Sequence, residues 1–389
     1  MAIGDAAYIK SINRRLIISK IIEAGMISRA DLSKITKLTR ATISVQVADL
    51  LEEELIVESH QEHSSVGRKP IMLSLNRYAG YALGIDLDSK YITFTLSDLA
   101  GNPINTDMIE LFHSDYDQIV GMLVEQIKNY EEKYQNSRFG IIGIVIGVHG
   151  IVSKDEMINF VPQHRWENKN LKEDLEKNLN LPVHVENNAN LCSIAEKVFK
   201  HHQSENLTSI SMYSGIGLGV LINGELLKGY NGYAGEMGHM IIIPNGKQCN
   251  CGNLGCWELY ASEISLFNQL AEAYPEKNIS YAEIQTLISS KDSLTCSLFE
   301  QFIQYVSIGL NNIINLFNPE TLVLNSELLK LYPDAIQKIK SNLTSSISHY
   351  QELMISDFGK QAAVMGACAL AIKDFLEVPE LRLNLENHY

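Results

Sequence analysis

The residues best suited to chemistry in this 389-residue chain stand close together past its midpoint: Glu236-Met237-Gly238-His239, then Cys249-Asn250-Cys251-Gly252-Asn253-Leu254-Gly255-Cys256-Trp257-Glu258. Thiolates and imidazole are the usual donors of a four-coordinate structural zinc site. Cys249 and Cys251 can reach one ion from a tight loop. Gly252 and Gly255 let the backbone fold back so that Cys256 joins them, and His239 supplies a fourth ligand. The loop 239–256 therefore reads as a closed Cys3His site, structural rather than Lewis-acidic because no coordination position stays open. The alternative is a thiol cluster in a buried turn. The six cysteines are Cys192, Cys249, Cys251, Cys256, Cys296 and Cys368. Met1 to Lys20 carries no apolar signal core, so a cytoplasmic location is expected and clustered thiols favour metal over disulfides.

The pattern Glu-x-Gly-His followed by Cys-x-Cys-Gly-x-x-Gly-Cys-x-Glu resembles that of the ROK family (repressors, open reading frames and sugar kinases), and the whole chain fits the repressor branch. The resemblance implies an α/β protein: an N-terminal winged helix-turn-helix, then a two-lobed, actin-like (ribonuclease-H-like) sugar-kinase fold with a cleft. It also implies homodimers or homotetramers. Glu236, His239 and Glu258 stand where family members hold sugar hydroxyls. Carboxylates are strong acceptors for such groups, and a histidine bound to zinc through one ring nitrogen still offers the other.

A second stretch, Glu186-Asn187-Asn188-Ala189-Asn190, falls at a strand-to-helix junction. Family kinases have Asn-Asp there. Asn187 keeps the sugar-binding position, and Asn188 replaces the aspartate that takes the hydroxyl proton. An amide cannot do that, though it still hydrogen-bonds a hydroxyl; Asn188 also reads as a simple helix cap. The phosphate turn Asp-x-Gly-Gly-Thr is here Asp86-Leu87-Asp88-Ser89-Lys90, without the glycines that let backbone approach phosphate. Asn325-Ser326 replaces a glycine pair that borders nucleotide. Ser214-Gly215-Ile216-Gly217-Leu218-Gly219 stays glycine-rich, which a tight strand turn explains as well as phosphate does. No ATP binding and no catalytic residue are expected. His149, in Gly147-Val148-His149-Gly150, replaces a usual proline and either faces the sugar or sits in a turn. Trp166 packs either on the inducer or in the core.

Elements must hold these residues in place. Residues 81–110 read as three strands, 115–135 as a helix, and 139–148 as a strand buried on both faces. A second unit opens with a strand pair over 209–224 and ends with a strand at 320–326 between helices at about 295–317 and 328–346. Two such units in tandem imply two lobes. Ahead of them, residues 8–24 form a helix with apolar positions at Ile9, Ile12, Leu16, Ile17 and Ile21, closed by Gly25. Ser28 with Asp31, and Thr39, cap two further helices, the second carrying an inward stripe of Ile43, Val47, Leu50 and Leu51. Strands at Ile56-Val57 and Ile71–Leu73 flank a polar wing that contains Arg68 and Lys69. The boundaries expected are 1–76 for the winged helix-turn-helix and 77–389 for the sugar-binding effector part. Candidate base- or phosphate-contacting residues are Arg40, Thr42, Ser44, Gln46, Arg68 and Lys69.

The net charge of −14 is unevenly spread. Residues 1–80 carry 11 Lys/Arg against 9 Asp/Glu, and the remainder 21 against 37. A mildly basic reading head before an acidic effector part suits operator DNA, because phosphate responds to the local field. No apolar run is long enough to cross a bilayer. The expectation is a repressor of carbohydrate-use genes released by a small sugar inducer, xylose being the family-led choice. The alternatives are an ATP-dependent sugar kinase carrying a DNA-binding head and a sugar sensor whose head binds protein.

Overall fold

The computed structural model describes residues 6–60 and 71–385. The head runs α1 (Ala6–Ala24), β1 (Ile27–Ser28), α2 (Arg29–Thr36), α3 (Arg40–Glu52), β2 (Ile56–His60) and β3 (Ile71–Leu75). Ser28 accepts from the Asp31 N–H at 3.1 Å and Thr39 from the Thr42 N–H at 3.1 Å, so both anticipated caps form. Gly25, at φ +67°, ends α1. Strands in the order β1-β3-β2 make the antiparallel sheet of a winged helix-turn-helix. Arg68 and Lys69 lie outside the described residues. The buried face of α1 is Ile17, Ile18 and Ile21, whereas Ile9 and Ile12 are about half exposed, contrary to the stripe expected of them. Helical spacing marks a shared face but does not say that another element covers its whole length.

The first lobe comprises β4 (Tyr81–Leu87), β5 (Tyr91–Asp98), β6 (Pro103–Glu110), α4 (Tyr116–Tyr134), β7 (Ile141–Val148), β8 (Ile151–Val152), β9 (Ile158–Val161), β10 (Trp166–Lys169), α5 (Leu171–Glu176), β11 (Val183–Asn187) and α6 (Asn188–Phe199). The second comprises β12 (Leu207–Ser211), β13 (Gly217–Ile222), β14 (Glu225–Leu226), α7 (Glu258–Ala261), α8 (Glu263–Ala273), α9 (Tyr281–Ser289), α10 (Ser293–Phe317), β15 (Thr321–Asn325), α11 (Glu327–Leu331), α12 (Ala335–Asn342) and β16 (Glu352–Ile355). The final helix, α13 (Ala362–Leu376), returns to the first lobe and packs on α6, β4 and β7.

The two main sheets share one layout. In β11-β7-β4-β5-β6 and in β14-β13-β12-β15-β16, an antiparallel three-strand meander continues into two parallel strands. β7 is buried along its whole length, as its unbroken apolar run requires. The single helix expected over 328–346 is instead two, because Pro333 lacks an N–H and its ring clashes with the preceding turn; Asp334 follows at φ +56°. α13 has eleven buried residues and no polar face, so periodicity gave no sign of it.

One buried cluster takes in Ile17, Leu32 and Val47 of the head, Leu191 and Ala195 of α6, and Ala367, Ile372 and Leu376 of α13. The head meets the effector part at the end of α13, where Lys10, Arg14 and Ile18 of α1 and Gln46 of α3 face Phe375, Leu376 and Glu377 across one cavity. Arg15 pairs with Glu377 just beyond α13, Arg138 faces Glu54, and the Phe139 and Phe375 rings meet edge-on at 5.2 Å. A cavity of about 420 Å³ remains in this seam, between α1, α3 and the end of α13.

Candidate sugar cleft, metal loop and reading helix

The parallel strands β4, β7 and β11 end side by side, with Leu87 and Asn187 both in register with Val148. Ligands in open α/β sheets bind beyond such carboxyl ends. Asp86, His149 and Asn188 meet there. His149 Nε2 lies 3.1 Å from Asp86 Oδ1, and the Asn188 amide nitrogen lies 3.3 and 3.2 Å from the two ring nitrogens. Burial disfavours charge on His149, but Asp86, bonded to it, and nearby Asp88 outweigh that and raise its pKa. His149 thus contacts Asp86 and Asn188 rather than merely completing a turn.

Asn187, not Asn188, caps α6. Its side-chain oxygen accepts from the Ala189 and Asn190 N–H groups, and its amide nitrogen donates to the Gly150 carbonyl at 2.7 Å. Glu186 is buried, accepts from Asn187 N–H and Asn190 Nδ2, and pairs with Lys228 of the second lobe at 2.6 Å.

The glycine-rich stretch 214–219 brings the second lobe to these residues. A Cβ on Gly219 would stand 2.3 Å from the Ala189 carbonyl oxygen, and one on Gly217 2.9 Å from the Ala189 Cβ. These glycines let β13 press against the start of α6, which accounts for them without phosphate. Close by, a Cβ on Gly215 would lie 3.0 Å from Glu258 Oε2, and Gly238 packs under the Ile216 carbonyl. The hairpin is thus a common floor for Asn187 and Asn188 on one side and for Glu236, His239 and Glu258 on the other. Burial holds the Glu236 carboxyl above the ordinary range, with His239 opposing.

The four expected metal ligands also converge. The donor atoms of His239, Cys249, Cys251 and Cys256 all lie within 4.8 Å of one another. Cys249 Sγ is 3.6 Å from His239 Nδ1, and Cys251 Sγ is 3.6 Å from Cys256 Sγ. Bond lengths near ~2.3 Å for sulfur and ~2.1 Å for nitrogen give tetrahedral edges of about 3.5–3.8 Å, so the set fits such an ion. Gly252 and Gly255, at φ +99° and +85°, make the fold-back. Trp257 is wholly buried, donates its indole N–H to the Tyr305 carbonyl, and fills the space left by Gly309 on α10. That anchor fixes Cys256 and Glu258 on either side of it. Glu258 Oε1 lies 3.3 Å from His239 Nδ1, so one carboxylate oxygen touches the ligand set while the other faces Gly215.

Trp166 is a core residue. It is buried, donates to the Ser114 carbonyl at 2.9 Å, and packs edge-on against Tyr116 and flat against His164. Around Asn325-Ser326 a polar network fills the space between elements. Ser326 and Tyr281 donate to the buried Glu263 at 2.7 and 2.6 Å, Tyr213 donates to Asn325 at 2.9 Å, and Lys360 lies over the Tyr213 and Tyr281 rings. Nothing in the spacing of Glu263, Tyr281 and Lys360 announced this cluster, since they come from three separate elements.

On the head, Arg40, Ala41, Ser44 and Val45 are exposed along α3 and Thr42 is half-buried. The Thr42 hydroxyl bonds that of Thr39, and the Ser44 hydroxyl donates to the Arg40 carbonyl. Gln46 is a correction: it is 4% exposed and lines the seam cavity, so it faces the effector part and not a duplex. Val45, 57% exposed, was overlooked because an apolar residue in a helix is ordinarily assigned to the core. Arg14 pairs with Glu53, as Arg15 does with Glu377, so both helix-1 arginines have carboxylate partners.

Residues 82–374 match the model of the ROK family. The chain is 38% identical over 388 residues to a xylose repressor of Bacillus spizizenii, spanning 98% of this chain and 100% of that protein. Among solved structures, it superposes with a ROK family transcriptional regulator described as a homologue of the Escherichia coli MLC protein. The TM-score is 0.80 at 29% identity, over 95% of this chain and 97% of that one. A ROK family glucokinase from Streptomyces griseus, solved with glucose and AMPPNP, superposes at a TM-score of 0.66 and 25% identity. It covers 75% of this chain and 99% of its own.

Proposed function

The chain belongs to the ROK family, and on that footing we propose that it is a sugar-responsive transcriptional repressor whose effector part no longer phosphorylates sugar. The observation that carries the reading is the seat of the head: it meets the end of α13, which packs along α6, and α6 begins at Asn188, capped by Asn187, beside the cleft. A ligand at the cleft and a duplex at α3 thus act on one packed layer.

In this reading Arg40 meets phosphate or a guanine edge, Ser44 and Thr42 flank it, Ala41 and Val45 offer apolar contact to thymine methyls, and Arg68 and Lys69 of the wing reach the backbone or minor groove. Asn187, Asn188, Glu236, His239 and Glu258 hold the sugar. Carboxylates Asp86, Glu186, Glu236 and Glu258 surround the cleft, so the inducer is a neutral sugar rather than an acidic one; xylose is the first candidate, from the name of the Bacillus relative. The metal is zinc, held by His239, Cys249, Cys251 and Cys256. It is structural, fixing the loop that presents Glu258. The protein works in the cytoplasm as a dimer or tetramer, whose paired heads suit an operator with two half-sites. Sugar must bind the DNA-incompetent state more tightly, since only differential affinity shifts populations.

Three features stand against phosphoryl transfer. Asn188 cannot take a hydroxyl proton, the stretch 86–90 lacks a glycine turn, and Asn325-Ser326, standing where the resemblance implies a glycine pair beside nucleotide, is bonded to Tyr213 and Glu263. The second reading, a kinase with a DNA-binding head, rests on the likeness to the glucokinase.

Gel shift with the full chain and its own upstream DNA, with and without a panel of free sugars, tests the first reading; a coupled ATP assay on the same panel tests the second. The expected result is specific DNA binding that one neutral sugar weakens at least tenfold, with no turnover. Operator affinity indifferent to every sugar sinks the inducer, and turnover at rates of working kinases sinks the repressor-only view.

A further inference from the structure

Among the described residues, His149 and Asn188 depart together from the kinase pattern and touch one another, and that pairing has its own chemistry. Asn188, half-buried, sits at the carboxyl ends of β7 and β11 with its amide nitrogen 3.2–3.3 Å from the two ring nitrogens of His149. The two ends of the amide have the same shape and opposite character: the oxygen accepts, the NH2 donates. Asp86 bonds the same imidazole at 3.1 Å, Asp88 lies nearby, and the neighbouring titratable ring is His164, whose own pKa burial lowers. A cationic ring repels an NH2 group and attracts an amide oxygen.

We propose that His149, paired with Asp86, turns the Asn188 amide so that its oxygen faces the imidazole and its NH2 faces the cleft, making this position a hydrogen-bond donor to the sugar. The inference rests on the sugar-sensing reading and specifies its ligand. A kinase aspartate at this place accepts a hydroxyl proton. Here the NH2 donates a hydrogen bond to an oxygen, and so selects a neutral sugar that presents an acceptor there, such as a ring or glycosidic oxygen. His149 is a positioning residue in this scheme, because it acts through Asn188. It also lends the cleft a pH response. With His149 charged the donor is locked toward the sugar; as pH rises past the elevated pKa of the ring, the lock is lost and affinity falls.

Calorimetry on the metal-replete full chain, with D-xylose, D-glucose and N-acetyl-D-glucosamine at pH 6 and pH 8.5, tests this. Wild type is expected to bind one of them, several-fold more tightly at pH 6. Asn188→Asp, which can only accept once ionised, should lose on the order of tenfold or more at both pH values. His149→Ala should bind weakly and equally at the two, while Asp86→Asn should move the pH midpoint down. Apo melting temperatures identify any variant that is merely unfolded, and His149→Gln, which keeps ring-sized bulk without titrating, serves in place of an unstable alanine variant: it too should lose the pH difference. Asn188→Asp binding as tightly as wild type, or a pH response that survives loss of the His149 imidazole, overturns the inference while leaving sugar sensing intact. A wild type that binds none of the sugars removes the reading beneath it as well.

Discussion

Glu196 shows how a buried side chain can be held in check for reasons unrelated to the cleft. It lies on α6 at 2% exposure, one carboxylate oxygen has no partner among the described residues, and burial pushes its pKa up to about 7. The folded state therefore holds its proton more tightly than the unfolded chain, so stability falls as pH rises from the ordinary carboxylate value through about 7. Glu196→Gln removes that penalty. Urea unfolding should show the variant gaining on wild type at pH 8 by on the order of 1–3 kcal/mol, and little or nothing at pH 4.5. Residues of this kind were invisible in the sequence, where Glu196 is one acid among many. The convergence of His239, Cys249, Cys251 and Cys256 was legible, because thiols and an imidazole at short spacing have few other uses. Gln46 was misread for a related reason: a polar residue on a reading helix looks like a base contact until the surface packed behind it is known.

At the scale of elements, strands and helices with clear period or clear stops were legible, and those without were not. Pro333 breaks a helix that the apolar pattern alone would continue, and α13 has no polar side to mark it. Yet α13 is the element on which most depends. A Cβ on Gly366 would stand 1.9 Å from the Leu191 carbonyl oxygen, so α6 and α13 touch backbone to backbone. Gly366→Ala must push them apart, at a cost of about 1–3 kcal/mol. Thermal melting should record the loss, and operator binding should respond less to sugar, because the cleft end of α6 no longer moves in step with the head's support. Gly121, whose added Cβ meets nothing within 4 Å, is the control: alanine there should be neutral or slightly stabilising.

For the whole molecule, the two-lobed plan was legible from the repetition of strand meanders and helices, but the way the head is joined to it was not. The sequence marked a boundary between residues 76 and 77 but not the joint across it, which is formed by a shared apolar cluster, the Arg15–Glu377 and Arg138–Glu54 pairs, and a cavity. Arg15 and Glu377 are both exposed, so their pair adds less than about 1 kcal/mol. Glu377→Lys should therefore barely change the melting temperature. It sets a second cation beside Arg15, however, and should loosen the seam, so that fluorescence anisotropy with labelled operator finds a smaller ratio between sugar-free and sugar-bound affinities. An unchanged ratio would show that the signal bypasses this joint.

The position of α13 in the chain has a consequence for biosynthesis. α3 ends at Glu52 and α13 begins only at Ala362, so a ribosome releases the head well before that helix, and domains ordinarily begin folding as they emerge. Until Ala362–Leu376 emerge, the head lacks the helix end it meets, and the first lobe lacks the helix that packs on β4, β7 and α6. A message cut short before Ala362 would thus yield a head without the helix end it meets, so any coupling between cleft and head waits for α13.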